Sequence, residues 1–223
     1  MEDEPRELAI KVAIARQRGR SWHQQIPKLA AFWELSRLVA SRAFWTSGLP
    51  RGDGHSVLVV PGFGAGDIHY FLLRNWLKRL GYRPIKSGLK FNPEWSQERV
   101  DELSERVESE FEQSGLGVTL IGHSLGGLQA RSAAQRIPNA IRHLITLGAP
   151  LMYASGSVPS TVPFISIHTA RDLPYEPAAR EAHARNVLIA GTHDLLGVNR
   201  RVYTLVAEAL ALGHKSPKHV TPP

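Results

Sequence analysis

Gly122-His123-Ser124-Leu125-Gly126 lies between two segments of opposite character, and that setting constrains the fold more than any other feature of the chain. Ahead of it, Val118-Thr119-Leu120-Ile121 is a short apolar, β-favouring run. Behind it, Gly127-Leu128-Gln129-Ala130-Arg131-Ser132-Ala133-Ala134 reads as helix. The glycines let the backbone turn sharply without a Cβ clash. A strand, a tight turn and a helix then hold the serine at the apex, its hydroxyl exposed above the helix N-terminus, as a nucleophile elbow. A bare G-x-S-x-G arises by chance in about one chain in ten of this length. The flanking strand and helix distinguish this copy from a glycine-rich turn with a bystander serine.

Strand and helix patterns alternate through the rest of the chain. Strands are predicted over Ser56–Val60, Arg83–Ser87, Val118–Ile121, His143–Leu147, Phe164–His168 and Asn186–Ile189. Helices are predicted over Ile68–Leu80, Gln97–Ser114, Leu125–Arg136 and Asn199–Leu212. Repeated strand–helix units favour an α/β fold: a predominantly parallel six-stranded sheet with helices on both faces. Before it, from Pro5 to about Phe44, the pattern is helical. One stretch carries Leu8, Val12 and Ala15 and ends at Gly19. A second, from Pro27, carries Leu29, Phe32, Trp33, Ser36, Val39 and Ala40 at helical spacing. Turn residues fill Ser47–Gly54. The expected division is a helical extension and linker over 1–52, a catalytic domain over 53–212, and a loose tail with three prolines over 213–223.

The 223 residues suffice for one α/β domain, and 43% hydrophobic with 21% charged content is ordinary for a soluble globular protein. No apolar run approaches the roughly 20 residues that span a bilayer. The start, Met1-Glu2-Asp3-Glu4-Pro5, lacks the basic opening of a secretory leader, so a cytoplasmic location is expected. Without cysteine there is no disulfide, thiolate metal site or cysteine nucleophile. The net charge is +7, and the first 51 residues, with nine basic and five acidic side chains, hold +4 of it. Phe32, Trp33, Phe44 and Trp45 sit among Lys28, Arg37 and Arg42. Such a segment can lie on an anionic membrane as a basic amphipathic helix, or pack as an arm with its aromatics buried. Packing is the expectation, because helices usually derive stability from an apolar face against a core. No nucleic-acid partner is expected.

A serine hydroxyl needs a base, a group to orient that base, and donors for the developing oxyanion. In a parallel sheet these come from loops at the carboxyl ends of strands. After Ser56–Val60 follows Pro61-Gly62-Phe63-Gly64-Ala65-Gly66-Asp67. The Phe63 N–H is a candidate oxyanion donor, together with the Leu125 N–H that follows the serine. A phosphate loop is the weaker reading, since the Lys-Ser/Thr of a Walker motif is missing. After Phe164–His168 comes Asp172, the candidate acid, with Glu176 in reserve. After Asn186–Ile189 comes His193, the candidate base. His123 adjoins the serine and is expected to point away from it. His143 and His168 read as strand positions, and His214 and His219 lie in the tail.

Residues 56–212 resemble the α/β-hydrolase superfamily, most of all its compact lipase and carboxylesterase branch. The run VTLIGHSLGG, Val118–Gly127, is similar to the serine signature of lipases. The segment from His193 to Val198, leading into Arg201-Val202-Tyr203, resembles the end of small bacterial lipases. The resemblance implies Ser124 as nucleophile, Asp172 as acid, His193 as base and the Phe63 and Leu125 amides as oxyanion donors, in the order Ser–Asp–His of that fold. Two features depart from it. Pro61-Gly62 stands where many lipases have His-Gly, and the usual first strands are replaced by the helical extension. Fourteen residues, 150 to 163, separate Ala149 from Phe164, too few for a cap domain. An open cleft without a moving lid is therefore expected, unless the N-terminal helices cover it. Relatives that cleave halides or epoxides carry aspartate at the elbow, and this chain carries serine.

The expected chemistry is hydrolysis of a small-molecule or lipid carboxylic ester through an acyl-enzyme, with no cofactor and no metal. An acyltransferase, thioesterase or amidase using the same triad stays open, as does a non-catalytic binding protein of the same fold. Oligomeric state is not encoded in any motif.

Overall fold

The computed structural model describes residues 28–170 and 183–212. The predicted helix before Gly19 and the tail from 213 lie outside them. Chain order is α1 (Lys28–Val39), β1 (Ser56–Val60), α2 (Phe71–Leu80), β2 (Arg83–Lys86), α3 (Gln97–Ser114), β3 (Val118–His123), α4 (Leu125–Arg136), β4 (Ile141–Leu147), β5 (Phe164–Thr169), β6 (Arg185–Ile189) and α5 (Arg200–Ala211). Short 3₁₀ turns include Asp67–Tyr70 ahead of α2 and His193–Val198 ahead of α5.

The six strands form one sheet in the order β2-β1-β3-β4-β5-β6, and every pairing is parallel. Strands β1, β3 and β5 are buried along their whole length, which explains their unbroken apolar runs. The edge strands are more polar and more exposed. Strand β2 carries Arg83, Pro84 and Lys86, and proline is tolerated at an edge.

Alternation along the strands sends side chains to two cores. Val57, Val59, Ile121, Ile145 and Ile167 pack with α2 and α5 on one face. Leu58, Val60, Leu120, Leu144 and Phe164 pack with α3 and α4 on the other. The register slips by one residue at Val118/Thr119, which keeps both Ile141 and Leu144 on the second face. The chain leaves β1 toward β2 and returns to β3 on the opposite side of β1. That reversal opens a crevice at the carboxyl ends of β1 and β3, where an open α/β sheet binds its ligands.

The extension departs from the packing expectation. Leu38 and Phe44 are buried in the first core, and the indole of the fully buried Trp76 donates to the Ala43 carbonyl at 2.7 Å. Arg79 clasps the same turn, donating to the Phe44 carbonyl. Phe32, Trp33 and Trp45, however, are 61%, 57% and 61% exposed. Leu38 turns into the core on the same side as the small Ala30 and Ala31, while Leu29, Phe32, Trp33, Leu35 and Val39 of α1 face outward. Helical spacing identified the stripe without fixing which way it faces.

Residues 150–163 form no cap. After one 3₁₀ turn, Leu151–Tyr153, Val158 and Val162 are buried in the second core, and Arg131 donates to the Ser155 and Gly156 carbonyls.

At the amino ends of the strands lies a second polar cluster. Asp53 accepts from the His55 ring at 2.6 Å and pairs with Arg142 at 2.7 Å, while the other His55 ring nitrogen meets Thr119 Oγ1 at 3.0 Å. Acid, imidazole and hydroxyl imitate a triad, but Thr119 is 0% exposed and lies at the wrong end of the sheet, so the cluster is structural. Burial acts to raise the Asp53 pKa, yet the His55 hydrogen bonds and the Arg142 charge outweigh it and hold the carboxyl well below the usual range. A depressed carboxyl pKa stabilises the fold above the unfolded value of about 3.9 and ceases to do so as pH falls through the folded one. Asp53→Asn is therefore expected to melt below wild type at pH 7, with the gap narrowing below about pH 4. Melting curves from pH 7 to pH 3 with a constant gap contradict this.

Candidate active site

Ser124 has φ 51° and ψ −118°, one of two described non-glycine residues with positive φ. A side chain there is strained by roughly 1–3 kcal/mol, so the surroundings must hold it. Its N–H donates to the Leu147 carbonyl of β4 at 2.8 Å. Its own carbonyl accepts from the Gly127 N–H at 2.9 Å. On either side the backbones approach too closely for any side chain. A Cβ at Gly122 would sit 2.5 Å from the Gly126 carbonyl oxygen, and one at Gly126 would strike the carbonyls of Val60 and Pro61. The elbow is thus wedged between β1, β4 and its own helix. Leu125 opens α4, where the first backbone N–H groups have no acceptor one turn back.

The loop after β1 lies directly against this turn. A Cβ on Gly62 would be 3.3 Å from Ser124 Cβ and 3.0 Å from His123 Nδ1. Phe63, the next residue, is half-buried in the same turn. A pair of buried amides fixes the loop. Asn92, 0% exposed, donates through Nδ2 to the Pro61 carbonyl at 2.7 Å and to Gln129 Oε1 at 2.9 Å. Gln129 on α4 donates back to Asn92 Oδ1 and to the Glu94 carbonyl, both at 3.2 Å. The Asn92 main chain exchanges further bonds with Gly64 and Ala65.

His193 begins the 3₁₀ turn after β6. Its carbonyl oxygen lies 2.9 Å from His123 Nε2, and the two rings are 5.0 Å apart between centroids. Since His123 precedes Ser124, the loop bearing His193 is brought against the elbow. A carbonyl can only accept, so His123 Nε2 carries a proton. In the neutral ring Nδ1 is then the acceptor, and the Tyr70 hydroxyl donates to it at 2.7 Å. The Gly62 N–H in turn donates to Tyr70 Oη. Burial, aided by the Asp194 charge, pushes the Tyr70 pKa well above its ordinary value despite that Gly62 bond, so the hydroxyl keeps its proton. One relay therefore ties the loop after β1, the elbow and the loop that carries His193 together.

Ser124, Leu125, Phe63 and His193 are thus gathered at the carboxyl ends of β1, β3 and β6. Asp172 and its reserve Glu176 lie outside the described residues. Four further participants, Tyr70, Asn92, His123 and Gln129, went unnoticed in the sequence as parts of the site. Of these only His123 had a signal, its place inside the motif, and its ring bonds to Tyr70 and to the carbonyl of His193.

Family comparison matches residues 91–191 to palmitoyl protein thioesterase, a span that contains Ser124 and stops two residues before His193. No curated protein matches the chain in sequence. Among solved structures, a monoacylglycerol lipase from Paleococcus ferrophilus is 14% identical, with 74% of this chain and 97% of that one covered, at a TM-score of 0.56. A soluble variant of the Saccharomyces cerevisiae monoglyceride lipase, in complex with a substrate analogue, is 16% identical over 76% of this chain and 91% of that one, at 0.57. A methylesterase from Arabidopsis is 15% identical over 71% and 99%, at 0.52. With the all-parallel sheet and the serine elbow, these likenesses show that the chain has the α/β-hydrolase fold.

Asn92→Leu is expected to leave the Gln129 amide and the Pro61 carbonyl short of partners, at a cost of roughly 1–3 kcal/mol. At about 2–4 °C per kcal/mol for a domain of this size, the melting temperature should fall by roughly 5 °C. An unchanged melting temperature contradicts the clamp.

Proposed function

We propose that the protein is a serine hydrolase that cleaves carboxylic esters through an acyl-enzyme. The observation that carries this reading is the strained Ser124 elbow with the His193 loop bonded to its neighbouring residue. Ser124 Oγ attacks the acyl carbon as its proton passes to the His193 ring. The carbonyl electron pair moves to oxygen, and the oxyanion is met by the N–H groups of Phe63 and Leu125. Collapse of this intermediate breaks the acyl–oxygen bond, and the departing alkoxide takes the proton from His193. Water, deprotonated by His193, then attacks the acyl-enzyme, releasing the acid and free Ser124. Asp172 serves to orient the imidazole and to stabilise its cation. No other group is needed to balance these steps.

Within this scheme the Tyr70–His123 pair positions the base loop. Because a carbonyl bond anchors residue 193, the imidazole need not search for its geometry at each turnover. A thioester is the second reading, favoured by the family match over 91–191. The attack is the same and the leaving group is a thiolate. The fold itself does not choose between them.

A chain-length series of p-nitrophenyl esters and acyl thioesters tests the reading, with Ser124→Ala as the blank. Turnover should drop by up to about 10⁶ in that variant, the scale found when a triad nucleophile is removed. Near wild-type turnover in Ser124→Ala overturns the assignment. Tyr70→Phe should lower kcat about tenfold with KM little changed, since it removes one buried donor and strands the Gly62 N–H. A rise in KM alone, with kcat intact, contradicts the positioning role.

A further inference from the structure

We infer that α1 and the groove beside it form a docking surface for an anionic lipid bilayer. The outward side of α1 presents Leu29, Phe32, Trp33, Leu35 and Val39, each at least 39% exposed. Trp45 extends the patch, held by an indole bond to the Val39 carbonyl at 2.7 Å. A soluble surface helix normally reverses this arrangement, turning its apolar stripe inward. Apolar patches of this kind, rich in tryptophan and phenylalanine, mark sites that meet another apolar phase.

Charge selects the phase. Beside the helix runs a groove of about 730 Å³ lined by Arg37, Arg42, Arg200 and Arg201. Among the described residues none of these four guanidiniums is in an ion pair. Among the described residues the one acid lining the groove is Glu34, which accepts from Asn199 Nδ2 at 2.7 Å. Four arginines against one glutamate, bordering an aromatic apolar strip, match the layering of an anionic membrane, with charged headgroups above and acyl chains beneath. A protein partner would need acidic and apolar patches in the same register, whereas a bilayer supplies both everywhere.

The surface is also well placed. Helix α1 packs on the His193–Val198 turn, and Glu34 bonds to Asn199 at the N-cap of α5. Docking through α1 therefore sets the membrane beside the loop that carries His193. Vesicle binding is read without turnover, so this inference stands or falls separately from the ester-hydrolase reading.

The test is co-sedimentation of the full chain with vesicles of phosphatidylcholine alone and of phosphatidylcholine mixed with phosphatidylglycerol. Binding is expected to the mixed vesicles only, and to weaken with added salt. The double variant Phe32→Asp, Trp33→Asp should lose it while keeping wild-type p-nitrophenyl acetate turnover and melting temperature. Arg200→Ala and Arg201→Ala should each weaken it about fivefold. Three results overturn the inference: no binding to either vesicle, binding unaffected by Phe32→Asp with Trp33→Asp, or a concentration-dependent dimer that the double variant abolishes without any vesicle binding.

Discussion

Everything at the carboxyl end of the sheet depends on one crossing of backbones. Residue 124 occupies a conformation that a side chain avoids, and it stays there because its neighbours leave no alternative. Gly122 and Gly126 admit carbonyl oxygens where any Cβ would collide, and the Leu147 carbonyl of the adjoining strand takes the Ser124 N–H. Strain of this kind survives only when the surrounding structure over-determines it. Two extensive cores, one on each face of the sheet, supply that rigidity.

Around the crossing, rigidity is passed on by buried hydrogen bonds that span long stretches of sequence. Asn92 reaches 31 residues back to Pro61 and 37 residues on to Gln129. Tyr70 reaches 53 residues to His123, and His123 reaches 70 to His193. Together these bonds join the loops carrying Pro61, Tyr70, Asn92 and His193 to β3 and α4 on either side of residue 124. Fully satisfied polar networks of this sort are stiff and specific, because breaking one member exposes the desolvation cost of the rest. The loops around residue 124 are thus held together by the protein's own hydrogen bonds.

Much of this was legible in the sequence. The six strands and their order of use follow from apolar runs punctuated by turn residues. Helix Gln97–Ser114 was bounded correctly because Ser96 caps its start and Gly115 takes the left-handed conformation at its end. Ser124, Leu125, Phe63 and His193 were singled out because ligands of a parallel sheet bind after strand ends, and the structure brings their segments to that end of the sheet. Asn92, Gln129 and Tyr70 were not, since an isolated amide or phenol acquires its role only when distant segments meet, and no local period announces that. Helix α1 shows a different limit. Spacing revealed one apolar face, but the helix seats on Leu38 beside the small Ala30 and Ala31, with Leu29, Phe32, Trp33, Leu35 and Val39 outward.

The central claim, that residue 124 is an activated nucleophile and not a strained structural serine, is tested most directly by a fluorophosphonate probe followed by mass spectrometry of the intact chain and its peptides. The account predicts a single adduct on Ser124, formed rapidly in the folded protein and much more slowly after His193→Ala. Folded protein that stays unlabelled, or that reacts at the same rate without His193, contradicts it.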